Sequence, residues 1–234
     1  PAPITSRSRL VLVAALGAAA LVGASTSAQT LPTPAAAAGV IDSLARAHLA
    51  RGVPSVAIAL IRGNDTLAFG AWGMANLELE VPATALSVYR IGSVTKQFTA
   101  AAVMQLAEQG RLSLDDSIGD HIADLPVAWR PVTVLQLLNH TSGIPSYTGL
   151  GETWQRRWGE EMTPDTILAM VRDKPMDFPP GSRFSYNNSG YILLGMLIEK
   201  LTGSSWSDDL ASRFAEPLGL ADLRNCLVSP IIPR

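Results

Sequence analysis

The segment YRIGSVTKQFTAA, residues 89–101, decides how this sequence is interpreted. It opens an apolar run that continues to Gly110 and predicts a helix buried inside a domain. Ser93 and Lys96 stand three residues apart where this helix begins, so their side chains lie on one face, a single turn apart. The sequence therefore predicts a hydroxyl beside an amine at the N-terminal end of a buried helix.

Three effects converge on the oxygen of Ser93. Serine is a weak nucleophile that needs a neighbouring base, and an amine desolvated by apolar neighbours is pushed towards the neutral form that accepts a proton. The free N–H groups and the dipole at a helix N-terminus also favour negative charge nearby. The Ser93–Lys96 pair therefore predicts a site of nucleophilic chemistry.

A second element, FSYNNSGY at residues 184–191, supports this interpretation. In a chain with 20 Ser and 3 Lys, the pattern Ser-x-x-Lys is expected about 0.3 times by chance. Ser-x-x-Lys and Tyr-x-Asn together are expected about 0.03 times by chance. A tyrosine beside a lysine can relay the serine proton, and an asparagine can hydrogen-bond to a substrate amide. The alternative is that Tyr186 and Asn188 only cap the helix that follows.

Composition excludes several classes of protein. The 234 residues are 47% hydrophobic with a net charge of −2, which does not suit binding to nucleic acid. Cys226 is the single cysteine, so the chain forms no internal disulfide. We find neither metal-ligand spacing nor a glycine-rich phosphate loop and expect no metal or cofactor. His140, next to Thr141 and Ser142, could belong to a Ser-His pair, but we expect it to order a loop.

The N-terminus has the order of a secretory signal. Arg7 and Arg9 precede an uncharged run, residues 10–23, and a stretch of small polar residues. A membrane anchor is the alternative, but these fourteen residues fall short of the roughly 20 that span a bilayer. We expect a signal peptide over residues 1–28, a periplasmic or secreted protein without a stable membrane anchor, and a linker over residues 29–39.

The rest of the pattern predicts an α+β fold. A helix is expected over residues 40–50, and two apolar runs around Gly63 and Asn64 predict a β-hairpin. No further strand is predicted after Gly73, so the antiparallel sheet is incomplete. Further helices are predicted within residues 132–140, 163–173, 188–203 and 205–214.

Four segments carry a resemblance to a known family: residues 91–100, 137–145, 179–191 and 214–220, which read IGSVTKQFTA, LLNHTSGIP, PPGSRFSYNNSGY and FAEPLGL. They resemble the serine β-lactamase-related family, in the branch of class C β-lactamases, D-alanyl-D-alanine carboxypeptidases and related esterases. The likeness runs over residues 40–223.

The resemblance implies a β-lactamase/transpeptidase-like fold, with a helical subdomain beside the sheet. It implies that Ser93 is the acylated nucleophile and Lys96 its proton partner. Tyr186 would be the general base or proton relay, and Asn188 would contact the substrate amide.

The sequence departs from this family near its end. The third family motif, a Lys- or His-containing triad ending in Gly on an edge strand, is not found. Lys200 to Gly203 resembles it superficially, but we expect Gly203 to end a helix. The tail over residues 224–234 is also unlike the family, so we expect a C-terminally truncated chain. In the family, the missing strand supplies one backbone N–H of the oxyanion hole, which lowers the activation barrier by about 3 kcal/mol. We therefore expect slow turnover without it.

Two functions follow. The first is an exported serine hydrolase that forms an acyl-enzyme on Ser93 with a small-molecule or peptide substrate: a β-lactam, a D-Ala-D-Ala peptide or an ester. The second is a non-catalytic exported domain that keeps the pocket to bind peptidoglycan-like ligands or a partner.

Overall fold

A computed structural model describes residues 33–226, which divide into two compact units between residues 85 and 86. The expected signal peptide over residues 1–28 and most of the atypical tail lie outside the described residues. Within residues 33–226, no helix has both the length and the apolar character needed to cross a bilayer.

The first unit begins with helix α1, Pro34–Leu49. The expected linker was too long at its C-terminal end, because residues 34–39 are helical. Thr33 caps the helix by accepting the Ala36 N–H at 3.3 Å, and proline at the first helical position has its φ already set for a helix. The alanines that follow have the highest helix propensity.

Helix α1 packs on a three-stranded antiparallel sheet of order β1-β2-β3: β1 Ser55–Arg62, β2 Asp65–Asn76 and β3 Val81–Pro82. Ala37 and Ile41 of the helix form a small core with Ala68 of β2. The Trp72 indole N–H donates to Asp42 at 3.0 Å, which adds a polar contact between helix and sheet.

The hairpin was predicted correctly, and the third strand was missed. Gly63 is the first residue of the two-residue hairpin turn after Arg62, and its φ is +58°. Two-residue hairpin turns need a positive φ, which glycine adopts readily. Strand β3 has only two residues, one of them Pro82, which is tolerated at a sheet edge. A two-residue strand leaves no period-2 pattern to detect.

The second unit is helical, and the structure confirms all the helices predicted there. Its α-helices are α2 Thr95–Glu108, α3 Ile118–His121, α4 Val134–Leu138, α5 Glu152–Gln155, α6 Pro164–Ala169, α7 Ser189–Thr202 and α8 Trp206–Leu210. The four-residue helices α3 and α5 are too short to show a helical period, and the sequence did not predict them.

Helices α2, α4 and α7 surround the core of this unit. Helix α2 buries one stripe, formed by Thr99, Ala102, Val103 and Leu106, whereas Met104 is 42% exposed. The expectation of a helix buried on nearly every side was therefore wrong: its apolar residues include a 3.6-period stripe, and only that stripe is buried. The central buried side chains are Val103, Leu106, Trp129, Leu137, Ile144, Leu193, Leu194, Leu197 and Ile198.

Helix α7 ends as predicted. Gly203 takes the left-handed conformation, with φ +77°, and its N–H bonds to the Glu199 carbonyl. Lys200 thus lies in the last turn of a helix. Residues 200–203 resemble the third family motif in sequence only, because they end a helix and do not lie on an edge strand.

Candidate active site

Ser93 lies in a 3₁₀ turn, Gly92–Val94, that leads directly into α2. The turn begins with Gly92 at φ +51°, and Ser93 itself is exposed. Lys96 stands in the first turn of α2, half-buried, with its Nζ 3.3 Å from Ser93 Oγ. The predicted pair is therefore in contact, and Lys96 is only partly buried, whereas the sequence suggested a desolvated amine.

Tyr186 and Asn188 reach this pair from the segment that precedes α7. The Tyr186 hydroxyl donates to Ser93 Oγ at 2.6 Å. Lys96 Nζ donates to Asn188 Oδ1 at 2.6 Å. The structure thus brings together all four residues singled out from the sequence, and one hydrogen-bonded chain runs from the phenol to the carboxamide.

Helix capping does not account for Tyr186 and Asn188. Asn188 makes no capping hydrogen bond with its side chain. The capping contact comes from buried Asn187, whose Oδ1 accepts the Gly190 N–H at 2.7 Å. Asn187 also donates to the Ile144 carbonyl and so ties the loop to the core. Tyr186 and Asn188 are left to interact with Ser93 and Lys96.

Two hydroxyls that the sequence did not single out hold Asn188 in place. Its Nδ2 donates to Thr148 Oγ1 at 2.8 Å, and its backbone N–H donates to Ser146 Oγ at 3.2 Å. The two hydroxyl oxygens lie 3.0 Å apart. They follow the segment at residues 137–145 in the chain, but no spacing rule relates them to Asn188, which is 40 residues away from Thr148.

The Lys96 amine lies between two aromatic rings. Its Nζ is 4.7 Å from the centroid of the Tyr186 ring and 5.3 Å from that of Tyr191. Both distances are within the range of a cation–π contact. Tyr191 is anchored by donating to the Leu138 carbonyl at 3.0 Å, so it forms a fixed wall beside the amine.

These contacts change the acidity of Tyr186. Burial raises the pKa of this phenol, but its polar contacts with the Lys96 amine and the Ser93 hydroxyl, together with the positive charge of Lys96, outweigh burial and lower the pKa from its ordinary 10.0. A more acidic phenol has a larger deprotonated fraction at neutral pH. That fraction can accept the Ser93 proton.

His140 lies behind these aromatic rings and orders a loop, as predicted. Its Nδ1 accepts the Asn187 N–H at 3.2 Å, and its ring centroid is 4.6 Å from that of Tyr186. The neighbouring Ser142 is buried and accepts the Ile144 N–H at 3.3 Å. The structure records no contact between His140 and Ser142 that would form a Ser-His pair.

The comparisons with known proteins agree with this geometry. The model of one protein family, described as Beta-lactamase, matches residues 41–230, which is most of the chain. The chain belongs to the beta-lactamase family. The match to this family runs past residue 223, where we placed the end of the domain.

The relatives that this chain matches include proteins named as penicillin-binding proteins and a D-amino acid amidase. Penicillin-binding protein 4 of Amycolatopsis lactamdurans is 37% identical over 177 residues, which are 72% of this chain and 44% of that protein. The octameric penicillin-binding protein homologue from Pyrococcus abyssi is 38% identical with a TM-score of 0.67, covering 77% and 43% of the two chains. The D-amino acid amidase from Ochrobactrum anthropi SV3 is 33% identical with a TM-score of 0.68, covering 77% and 49%.

This beta-lactamase-family chain therefore spans about half the length of the relatives that it matches. The fold expected from the resemblance is confirmed: helices form one unit and a small antiparallel sheet belongs to the other. Among residues 33–226, no three His, Cys, Asp or Glu side chains come together as a metal site would require.

Proposed function

We propose that the protein is a serine acyl hydrolase in which Ser93 is the nucleophile. One observation carries the proposal: Ser93 Oγ has the Tyr186 hydroxyl at 2.6 Å and the Lys96 amine at 3.3 Å. A nucleophile in hydrogen-bond contact with groups that can take its proton is the arrangement required for covalent catalysis. The exposure of Ser93 and Tyr186 leaves the oxygen accessible to a substrate.

The acylation step follows from these positions. Ser93 Oγ forms a bond to the substrate carbonyl carbon as its proton passes to the deprotonated Tyr186 oxygen. The carbonyl electron pair moves onto its oxygen near the N-terminus of α2, where the helix dipole favours negative charge. When this intermediate collapses, the bond from carbon to the leaving nitrogen or oxygen breaks, and Tyr186 returns the proton to the leaving atom.

Hydrolysis of the acyl-enzyme uses the same groups in reverse. A water molecule donates a proton to Tyr186 as its oxygen attacks the ester carbon. The bond to Ser93 Oγ then breaks, and Ser93 regains its proton from Tyr186. The Lys96 amine, 4.7 Å above the Tyr186 ring centroid, stabilises the phenolate through this cycle.

Asn188 is proposed to contact the substrate amide. Its Oδ1 accepts from Lys96 and its Nδ2 donates to Thr148. Each of these groups can make one more hydrogen bond, because an amide nitrogen carries two hydrogens and its oxygen two lone pairs. The remaining donor and acceptor suit the carbonyl and the N–H of a peptide or of a β-lactam side chain.

We propose three substrate classes: a β-lactam, a D-Ala-D-Ala peptide or an ester. Relatives named as penicillin-binding proteins and as a D-amino acid amidase support acyl compounds of this kind. The signal expected over residues 1–28 supports export. Recovery of the protein from the periplasm or medium, cleaved near Ala28 and free of membranes, would test that location.

The activity test compares hydrolysis of a chromogenic cephalosporin, a D-alanyl-D-alanine peptide and p-nitrophenyl acetate by the full chain. We expect at least one to be hydrolysed, with Ser93→Ala abolishing the reaction. Ser204→Ala, on an exposed loop after α7, is the matched control and should keep full activity. Saturable binding of these compounds that is equal in wild type and Ser93→Ala, without turnover, would overturn the proposal in favour of a binding domain.

A further inference from the structure

We propose that His140 is a positioning residue for Tyr186, and that its neutral imidazole holds the phenol against Ser93. The inference rests on the proposed function, because it assigns a role in the proposed acyl transfer. His140 itself touches neither Ser93 nor, in that scheme, the substrate. It acts on the reaction through the segment that carries Tyr186.

The backbone of this segment is attached to His140 on both sides of Tyr186. The Ser185 N–H donates to the His140 carbonyl at 2.9 Å. The Asn187 N–H donates to His140 Nδ1 at 3.2 Å. One residue therefore fixes the amides that flank Tyr186, and the direction in which the phenol leaves the backbone depends on both hydrogen bonds.

The imidazole also packs against the phenol ring itself. Its centroid lies 4.6 Å from that of Tyr186, 5.1 Å from that of Tyr191 and 5.8 Å from that of Phe184. Aromatic contacts at these distances are stabilising. Tyr186 is 47% exposed, and this packing helps to restrict its ring on the side away from solvent.

His140 adopts a backbone conformation that side chains rarely adopt. Its φ is +62°, in the left-handed region, where glycine is usual and asparagine, aspartate and histidine are the enriched exceptions. Glycine would adopt this backbone shape at no steric cost. The imidazole adds the Nδ1 acceptor and the ring, which are the two features that contact the Tyr186 segment.

The role requires the neutral imidazole. Nδ1 accepts a hydrogen bond from a backbone N–H, so the ring hydrogen is assigned to Nε2. The ionisable groups that face the ring are Lys96 from α2, Tyr186 from the loop and Tyr191 from α7. Burial lowers the pKa of His140, and the charge of Lys96 lowers it further, from an ordinary 6.5.

The effect of pH has a definite sign. Above the lowered pKa, His140 is neutral and the Asn187 N–H keeps its acceptor. Below it, the protonated ring loses the acceptor and repels Lys96. Protonation of His140 should therefore add a further decline of acylation at a pH below 6.5 to the decline that protonation of Tyr186 causes.

Two variants separate the acceptor from the ring. His140→Phe keeps a ring but leaves the Asn187 N–H without an acceptor. His140→Asn places a side-chain oxygen at the position of Nδ1 and tolerates positive φ, but it has no ring. Exposed His48→Gln on α1 is the matched control for removing a histidine.

With p-nitrophenyl acetate, we expect His140→Phe to lower kcat about tenfold with little change in KM, as loss of one partly buried hydrogen bond implies. His140→Asn should recover part of this loss and lack the added decline below pH 6.5, keeping only the decline due to Tyr186, whereas His48→Gln should behave as wild type. Equal kcat in His140→Phe and wild type, or a decline below pH 6.5 as steep in His140→Asn as in wild type, would overturn the proposal.

A second readout does not depend on turnover. Titration of Tyr186, followed by NMR in protein with labelled tyrosines, should show its lowered pKa moving back towards 10.0 in His140→Phe and less so in His140→Asn. An unchanged Tyr186 titration in a folded His140→Phe protein would overturn the positioning role. If wild type shows no Ser93-dependent turnover, the proposed function fails, while this titration still decides the role of His140.

Discussion

The hydroxyl of Tyr186 lies 2.6 Å from Oγ of Ser93, although the two residues are 93 positions apart in the chain. Ser93 is held at the start of α2 and Tyr186 just before α7, and the buried faces of these two helices belong to one apolar core. The packing of that core therefore brings the phenol to the serine. The contact places a group that can take a proton beside the oxygen of the proposed nucleophile.

Removal of the phenol oxygen tests this contact. Tyr186→Phe keeps the ring and its packing on His140 but removes the hydroxyl that faces Ser93. We expect kcat/KM for p-nitrophenyl acetate to fall by about 10²- to 10⁴-fold, the range of a general base. Circular dichroism should show an unchanged fold. A decrease of less than about threefold would show that Tyr186 does not take the proton.

The pH dependence of acylation should carry the signature of Tyr186. The base is the deprotonated phenol, so kcat/KM should rise with pH. Burial raises the pKa of Tyr186, but contacts with Lys96 and Ser93 lower it more, so the rise should be centred below 10.0. Lys96→Met removes the amine and its charge and should shift the rise to higher pH. An unshifted titration of Tyr186 in Lys96→Met, measured by NMR if activity is lost, would contradict this account.

Much of the fold could be predicted because its signals are local. The Gly63 turn between apolar runs marked the hairpin, and helical periods marked the longer helices. Strand β3 was missed because two residues carry no period. Residues 34–39 were misassigned because an alanine-rich stretch after a proline is typical of both a linker and the first turns of a helix.

The candidate site could be predicted only in part. Ser93, Lys96, Tyr186 and Asn188 stand at short spacings that reveal paired side chains. The residues that support these four side chains stand at no such spacing. Thr148, Tyr191 and the aromatic contacts of His140 become neighbours of the site through packing of the core, and no spacing in the chain relates them to it.

Thr148 should matter for substrate binding through Asn188. Thr148→Val removes the hydroxyl that accepts from Asn188 Nδ2 at 2.8 Å while keeping the side-chain shape. We expect kcat/KM for a peptide or β-lactam to fall by up to about tenfold, mostly through KM, since one hydrogen bond is lost. Thr148→Ser retains the hydroxyl and should stay near wild type. Equal KM values in all three proteins would contradict this role.

Gly143 is predicted to be essential for stability rather than for chemistry. It has φ +72°, and an added Cβ would collide with the carbonyl oxygen of Phe178. Strain of this kind costs about 1–3 kcal/mol, so Gly143→Ala should lower Tm by several degrees. Gly149→Ala, where an added Cβ meets nothing within 4 Å, is the control and should leave Tm nearly unchanged. Equal Tm values would contradict the assigned collision.

The most direct test of the central claim is to find the acyl group on Ser93. Wild-type protein would be mixed with a slowly hydrolysed β-lactam, quenched in acid, weighed intact by mass spectrometry and mapped by peptide sequencing. We predict a mass increase of one whole β-lactam, since the ring opens without losing an atom, located on Ser93 and absent from Ser93→Ala. A protein of unchanged mass that nevertheless hydrolyses the compound, or a label on another residue, would contradict the assignment of Ser93 as the nucleophile.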